Sequence, residues 1–258
     1  MYRSNRVSWG VADLSNAAGA RFDSFWALAR RALPQACALC AAPSRDALVC
    51  AACARALPRI APACPRCALP APSGTLCGRC LVHPPSFDAA LCAFAYAFPV
   101  DRLLQRLKYG GALALASWAA GAWVEALQQR ATAGPAVALP DAIVPVPLTA
   151  ARQRERGFNQ ASEIARGIAA ALALPCVSWL ERVRDAPPQA ALPWEGRAAN
   201  VRDAFRCTRA LAREHVALVD DVMTTGATLG EAARSLRGAG AGVVSAWVIA
   251  RTLPPEQA

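Results

Sequence analysis

Between Cys37 and Cys80 the chain places eight cysteines as four CxxC pairs, 37/40, 50/53, 64/67 and 77/80. Nine residues separate Cys40 from Cys50 and Cys67 from Cys77, so CALCAAPSRDALVCAAC returns as CPRCALPAPSGTLCGRC at a period of 27 residues. A CxxC turn presents two thiolates to one tetrahedral ion. A second pair on a returning hairpin completes the shell and leaves no open position for chemistry. The stretch is rich in proline and poor in long apolar runs, so it can hardly build a core, and bound metal has to supply its folding energy. Two structural zinc ions are therefore expected, on Cys37, Cys40, Cys50, Cys53, Cys64, Cys67, Cys77 and Cys80. The repeat favours sequential sites, 37/40 with 50/53 and 64/67 with 77/80, and leaves an interleaved pairing open. Disulfides, inert thiols and an iron–sulfur cluster are the competing uses of such pairs; their even spacing favours zinc. Cys92, Cys176 and Cys207 are isolated and expected in the core, and His83 is expected at the surface.

The 258 residues suffice for one large domain, or a medium domain with a small one, and 55% apolar content can bury a sizeable core. A net charge of +10 and a pI near 9.4 favour polyanionic partners such as nucleic acid, phosphorylated metabolites or anionic lipid, without choosing among them. Lys108 is the only lysine, so the basic side is almost entirely arginine. Residues 1–21 carry Arg3, Arg6, Asp13 and Arg21 and no continuous apolar run, so no signal peptide is expected. The uncharged stretch from Tyr109 to Val124 is shorter than the roughly 20 residues of a spanning helix. A cytoplasmic protein without a transmembrane segment is the expectation.

Three regions follow. An N-terminal segment, 1–36, holds an amphipathic helical pattern at 22–33, with Phe22, Phe25, Trp26 and Ala29 on one face and Pro34 ending it. The cysteine module spans 37–80. An α/β domain is expected over 87–252. Its strands are expected at 87–98, 141–147, 176–180, 215–221 and 243–250, and its helices at 100–130 (two, broken at Gly110-Gly111), 159–174 and 228–240; 131–140 and 185–200 read as irregular. Alternating strands and helices argue a mostly parallel sheet flanked by helices.

VALVDDVMTTGATLGEA, residues 216–232, is the stretch with chemistry in it. A buried-looking strand ends in Asp220 and Asp221, where an open α/β sheet binds its ligands. Two adjacent carboxylates repel unless hydroxyls or a cation satisfy them, and sugar cis-diols and Mg²⁺ both do so. Thr224, Thr225, Gly226, Ala227 and Thr228 join strand to helix. Their backbone N–H groups can converge on an anion, the hydroxyls add donors, and Gly226 allows close approach. A diol on the carboxylates and a phosphate in the loop lie about a sugar's width apart, which suits a ribose 5-phosphate. The plainer use of the same residues is an N-cap threonine and a solvated aspartate pair. No Gly-Lys-Ser/Thr follows, which argues against a P-loop.

This stretch resembles the binding signature for phosphoribosyl diphosphate (PRPP) of type I phosphoribosyltransferases. IVPVPLTAARQRERGFNQASEIARGIA (143–169), RVRDAPPQAALPWEGRAANVRDAF (182–205) and LLQRLKYGG (103–111), together with the cysteine ribbon, narrow the resemblance to the ComF (GntX-like) family. The resemblance implies a type I phosphoribosyltransferase-like domain behind a double zinc ribbon. It implies that Asp220 and Asp221 hold ribose hydroxyls and that Thr224 to Thr228 cradle the 5-phosphate. The turn after Val144-Pro145-Val146 would approach the pyrophosphate, with Arg154 and Arg156 on a mobile loop above and Lys108 nearby. It also implies Mg²⁺ with PRPP, whose oxygen-only preference suits pyrophosphate and hydroxyls. The family often has glycine after each CxxC, where this chain has Ala41, Ala54, Ala68 and Leu81; a family threonine near Gln189 is Ala186 here.

Arg152, Arg154, Arg156, Arg166, Arg182, Arg184, Arg197 and Arg202, with Phe158, Trp179 and Trp194 interleaved, can track single-stranded nucleic acid, or else line the pocket and solvate the surface. The resemblance adds a link to natural competence: single-stranded DNA, the DNA-uptake machinery and an inner-membrane association through partners. Two functions stand side by side, a PRPP-binding factor for DNA handling and a Mg²⁺-dependent phosphoribosyltransferase acting on an unidentified base. Nothing in the sequence names an acceptor or an oligomeric state.

Overall fold

A computed structural model describes residues 36–44, 47–133, 138–184 and 201–254; the expected helix at 22–33 and the irregular stretch at 185–200 lie outside them. The chain divides into two compact units, Met1–Cys50 and Ala51–Ala258. The 27-residue sequence repeat is a structural repeat. In the first unit Ala36 bridges Pro43 antiparallel, the Cys37 N–H donates to the Ala42 carbonyl at 2.8 Å, and the Ala41 N–H to the Cys37 carbonyl at 2.9 Å. In the second, Ala63 bridges Pro70, Cys64 donates to Leu69 at 2.7 Å, and Ala68 to Cys64 at 2.9 Å.

The turn closing each leading CxxC is left-handed, with φ of 59° at Ala41 and 56° at Ala68. These two positions favour glycine on backbone grounds. Ala54 and Leu81 do not, because they follow the trailing pairs and lie in short helices, α1 (Ala51–Arg55) and α2 (Gly78–Val82). Ala41→Gly removes an exposed methyl from a left-handed turn, so it should stabilise its turn by about 0.5–1 kcal/mol. Slower chelator-driven zinc loss is the expected readout. Ala68→Gly should gain less, since its methyl is buried.

The α/β part comprises β1 (Ala89–Ala95), α3 (Val100–Tyr109), α4 (Ala114–Ala133), β2 (Ala142–Pro145), α5 (Ala150–Arg156), α6 (Gln160–Leu172), β3 (Leu180–Arg182), β4 (Phe205–Cys207), β5 (His215–Met223), α7 (Ala227–Gly238) and β6 (Val243–Arg251). Four strands form a parallel sheet in the order β1–β6–β5–β2, and β3 pairs antiparallel with β4. β5 and β6 are central and covered on both faces, which is why both read as nearly continuous apolar runs. On one face Val144, Val216, Leu218, Val244, Ala246 and Val248 pack with Leu229, Ala232, Ala233 and Leu236 of α7. On the other, Trp123 of α4 lies 4.2 Å from Trp247, centroid to centroid, and α6 packs on β2 and β5 beside α4. α6 buries Ala161, Ile164, Ala165, Ile168 and Ala169 at helical spacing.

The second ribbon covers the outer edge of β1, where the Ala90 and Ala95 N–H groups donate to the Pro65 and Pro58 carbonyls at 2.9 and 2.7 Å. An edge strand is thereby closed without a further strand.

Three sequence expectations change. The strand placed at 176–180 is reduced to a single bridge from Cys176 to Ile143, and the strand there is Leu180–Arg182, outside the main sheet. Val177 and Trp179 are apolar because they pack on the core, not because they run along the sheet. β5 does not stop at the aspartates. β6 offers ladder partners as far as Arg251, so Asp220 pairs with Val248, Val222 with Ala250 and Met223 with Arg251. Finally, Arg154 and Arg156 lie on a helix, α5, where a loop was implied. The Thr149 hydroxyl caps it by accepting from the Arg152 N–H at 3.2 Å, and Gly157, at φ 76°, ends it.

Candidate functional site

All strands of the sheet run in the same direction, so the carboxyl ends of β2 and β5 lie at one edge. A cavity of about 250 Å³ opens there. Val146, Pro147 and Leu148 after β2, Asp220 and Asp221 of β5, and Thr224, Gly226, Ala227 and Thr228 leading into α7 all line it. Lys108, Arg152, Arg156, Gln160 and Arg182 close its sides. Arg154 is exposed and does not line it.

Asp221 is 4% exposed. Lys108 Nζ sits 2.5 Å from its Oδ2, and Gln160 Nε2 donates to its Oδ1 at 3.4 Å. Asp220 Oδ1 accepts the Asp221 backbone N–H at 2.8 Å. Burial raises the carboxyl of Asp220 well above the usual range, and the neighbouring Asp221 charge raises it further. Burial pushes Asp221 the same way, but the Lys108 charge and the hydrogen bonds outweigh it and hold Asp221 below the usual range. Desolvation pulls Lys108 down, yet the Asp221 charge prevails and raises it. The two carboxyls are thus pushed apart, Asp220 up and Asp221 down, and two adjacent carboxyls at the rim of one cavity match the two hydroxyls of a cis-diol.

The loop at the start of α7 turns at Gly226, whose φ of 85° favours glycine. Thr225 Oγ1 accepts the Ala227 N–H at 3.1 Å, fixing the turn. Opposite, Arg156 stacks over the Tyr109 ring at 5.0 Å. It also donates to Gln160 Oε1 at 3.0 Å and to the Tyr109 hydroxyl at 3.3 Å. Asn159 caps α6 and donates to the Val146 carbonyl at 3.0 Å, tying the turn after β2 to the helix that carries Gln160.

Gln160, Asn159 and Tyr109 are site residues that the sequence does not single out, while Arg152 and Arg182 take the pocket-lining alternative given for the arginines. Arg-Gly-Phe-Asn-Gln carried the family resemblance, but no spacing told which of its members faces the aspartates. Arg182 and Arg209 lie over the Phe205 and Trp179 rings at 5.3 and 4.8 Å, and Arg166 pairs with Glu163. Several of the arginines and aromatics read as a nucleic-acid track are thus engaged with one another or with acids; Trp194 and Arg197 lie outside the described residues.

The eight paired cysteines form two groups, Cys37, Cys40, Cys50, Cys53 and Cys64, Cys67, Cys77, Cys80, each with its sulfurs within 4.8 Å of one another. The sequential pairing is the one adopted. Four sulfurs at that spacing fit a tetrahedral Zn²⁺. The Cys50 and Cys77 N–H groups donate to the sulfurs of Cys37 and Cys64 at 3.3 and 3.4 Å. Burial pushes both of these thiols up, but the backbone donors outweigh it and bring Cys37 to about 6 and Cys64 to about 7. Each group thus contains one thiol that ionises easily and can seed metal binding. His83 is exposed and belongs to neither group, and Cys92 is buried.

Among the described residues no helix is long and apolar enough to cross a membrane. Residues 28–81 match the family model of the double zinc ribbon domain. DNA utilization protein YhgH of Salmonella typhi is 36% identical over 226 residues, 86% of this chain and 99% of that protein. Competence protein F of Haemophilus influenzae is 31% identical over 183 residues, 66% of this chain and 76% of that protein. Among solved structures, a purine phosphoribosyltransferase from Pyrococcus horikoshii aligns with 52% of this chain and 83% of its own, at 16% identity and a TM-score of 0.31. An allosteric regulatory enzyme of purine biosynthesis aligns with 52% of this chain and 25% of its own, at 22% identity and a TM-score of 0.33.

Proposed function

The chain belongs to the ComF family, and from that premise we propose that it binds PRPP, or a closely related phosphoribosyl compound, together with Mg²⁺, in the handling of single-stranded DNA. The observation that carries the ligand is the acidic pair. Asp221 is ion-paired with the half-buried Lys108 at 2.5 Å and lies beside Asp220, in one cavity with the Gly226 turn. Such a pair is costly to bury and matches a vicinal diol. In this reading Asp220 and Asp221 hold the ribose hydroxyls, and the backbone from Thr224 to Thr228 receives the 5-phosphate. Arg152, Arg156 and Arg182 face the diphosphate, with Arg156 pre-set by Tyr109 and Gln160. The carboxylates and hydroxyls are oxygen donors, which fits Mg²⁺ carried in on the diphosphate, where it neutralises charge. The DNA role comes from the names of the relatives and from the basic charge.

The arginine lining also supports a second reading, a phosphoribosyltransferase. An acceptor nitrogen would form its bond to the anomeric carbon as the bond to the diphosphate oxygen breaks and pyrophosphate leaves. The arginines would stabilise the departing charge.

Calorimetry with PRPP and Mg²⁺ should give micromolar binding to the parent chain and none to Asp220→Asn combined with Asp221→Asn. Unchanged binding in that double variant would sink the site. A screen for pyrophosphate release across free bases, with and without single-stranded DNA, separates the two readings.

A further inference from the structure

Arg251 ends β6 and is 1% exposed, yet among the described residues no carboxylate pairs with it. Its guanidinium donates instead to backbone carbonyls. Nε reaches Cys67 at 3.0 Å, and Nη1 reaches Met223 at 2.9 Å, Thr252 at 3.0 Å and, closer still, Thr224. One side chain thus joins a thiolate residue of the second ribbon to the end of β5 and the first residue of the loop entering α7. Arg79, between Cys77 and Cys80, makes a second tie by donating to the Thr225 carbonyl at 3.5 Å.

These ties set the direction of the loop's donors. In a trans peptide the C=O and the following N–H point opposite ways. Holding the Thr224 carbonyl toward the ribbon turns the Thr225 N–H away from it, and holding the Thr225 carbonyl does the same for the Gly226 N–H. Those amides are among the ones available to an anion at the start of α7. The charge balance points the same way. A buried guanidinium served only by carbonyls lacks a counter-charge. A zinc ion held by four thiolates is net negative, and Arg251 donates to the carbonyl of one of its ligands, Cys67.

We propose that Arg251 is a positioning residue through which the second zinc ribbon orients the phosphate-binding loop, so that zinc at Cys64, Cys67, Cys77 and Cys80 and phosphate at Thr224–Thr228 strengthen each other. The second ribbon is then part of the binding site and not only a fold support. The proposal rests on the reading of that loop as a phosphate site. Linkage is reciprocal: if zinc favours phosphate binding, phosphate must strengthen zinc binding by the same free energy.

The test uses the zinc-loaded full chain, ribose 5-phosphate as probe, and a chromogenic chelator. Saturating ribose 5-phosphate should retain one of the two zinc ions about fivefold more strongly in the parent. Arg251→Lys should keep both zinc ions and cooperative melting, bind ribose 5-phosphate about tenfold more weakly, and lose the effect of the probe on zinc. Hydrogen exchange should quicken at the amides of Thr225 and Gly226 while those of Val216 to Val219 stay protected, a local change that general destabilisation would not give. Should Arg251→Lys fail to fold, Arg79→Gln repeats the test at an exposed tie, with a smaller loss expected. A folded, zinc-replete Arg251→Lys with the parent's affinity, zinc retention and loop exchange overturns the proposal. If the parent itself ignores ribose 5-phosphate, the phosphate reading falls. Loop exchange that is indifferent to zinc removal would then overturn the ribbon–loop tie as well.

Discussion

Lys108→Met destabilises the fold by about 3 kcal/mol or more near neutral pH, and the loss shrinks as the medium is acidified. Methionine keeps an unbranched apolar stem on α3 and removes the ammonium. What remains is Asp221, 4% exposed, with Gln160 as its one side-chain partner among the described residues besides its neighbour Asp220. Breaking one half of a buried pair leaves an uncompensated charge, which is costlier than never having had the pair. The pH dependence follows from the two carboxyls. In the parent, Asp221 titrates below its unfolded value, so the stability it contributes is present above that value and is lost as pH falls through its folded one. Without Lys108, burial and mutual repulsion raise both carboxyls. A raised carboxyl favours the folded state most below its unfolded value, near 4, and loses that contribution as pH rises. The difference between parent and variant should therefore be largest at pH 7–8 and smaller at pH 5. Urea unfolding across that range measures it. A loss of the same size at every pH would mean that Lys108 matters for packing and not for charge.

Lys108 also shows where sequence reasoning stops. Its helix was legible from the spacing of Leu103, Leu104 and Leu107, and the resemblance brought it near the site. That its ammonium meets Asp221 depends on how α3 crosses the sheet, which no local pattern records. Locally encoded features came through: the two CxxC-x9-CxxC copies close identical frames, β5 and β6 are apolar because both faces are covered, and Gly226 stands where the turn is left-handed. Features set by a neighbour did not. Cys176 to Leu180 has strand-like residues, but its pairing with β2 ends after the Cys176 bridge and one hydrogen bond from the Val177 N–H to the Ile143 carbonyl. β5 runs past the aspartates through Val222 and Met223 because β6 continues alongside them. Arg251 directly follows the strand expected at 243–250, and nothing in the local pattern marks it as buried. Its burial follows from the return of the second ribbon to the sheet edge. α5 is a different case: Thr149 and Gly157 are ordinary start and stop signals, and the implied loop obscured a helix that local rules support.

Removing zinc from the second ribbon should unfold that ribbon while leaving the sheet folded. The cluster inside it consists of Cys64, Cys67, Leu69, Ala71 and Cys80, with Cys77 and Leu253 packed against it, so four of its seven members are the ligands themselves. Burying a leucine contributes about 1.5–3 kcal/mol. A structural zinc contributes about 10–16 kcal/mol in zinc-finger peptides near neutral pH, so the metal dominates. The sheet has its own core, in which Ala68 and Ile60 are the ribbon's main share. Cys80→Ser should hence bind one zinc per chain by elemental analysis, against two for the parent. The amides of 64–80 should lose protection, while those of Ile164 to Ile168 and Val216 to Val219 keep theirs. Chelation of the parent should expose eight further thiols to a thiol reagent, beyond the half-buried Cys176 and Cys207. The edge of β1 should suffer next, because its Ala90 and Ala95 donors lose the Pro65 and Pro58 carbonyls and an unpaired edge invites association. Aggregation on chelation that is absent in the zinc-loaded chain would support that order of events. A Cys80→Ser chain that still holds two zinc ions would show that the second group does not bind metal as a four-cysteine set.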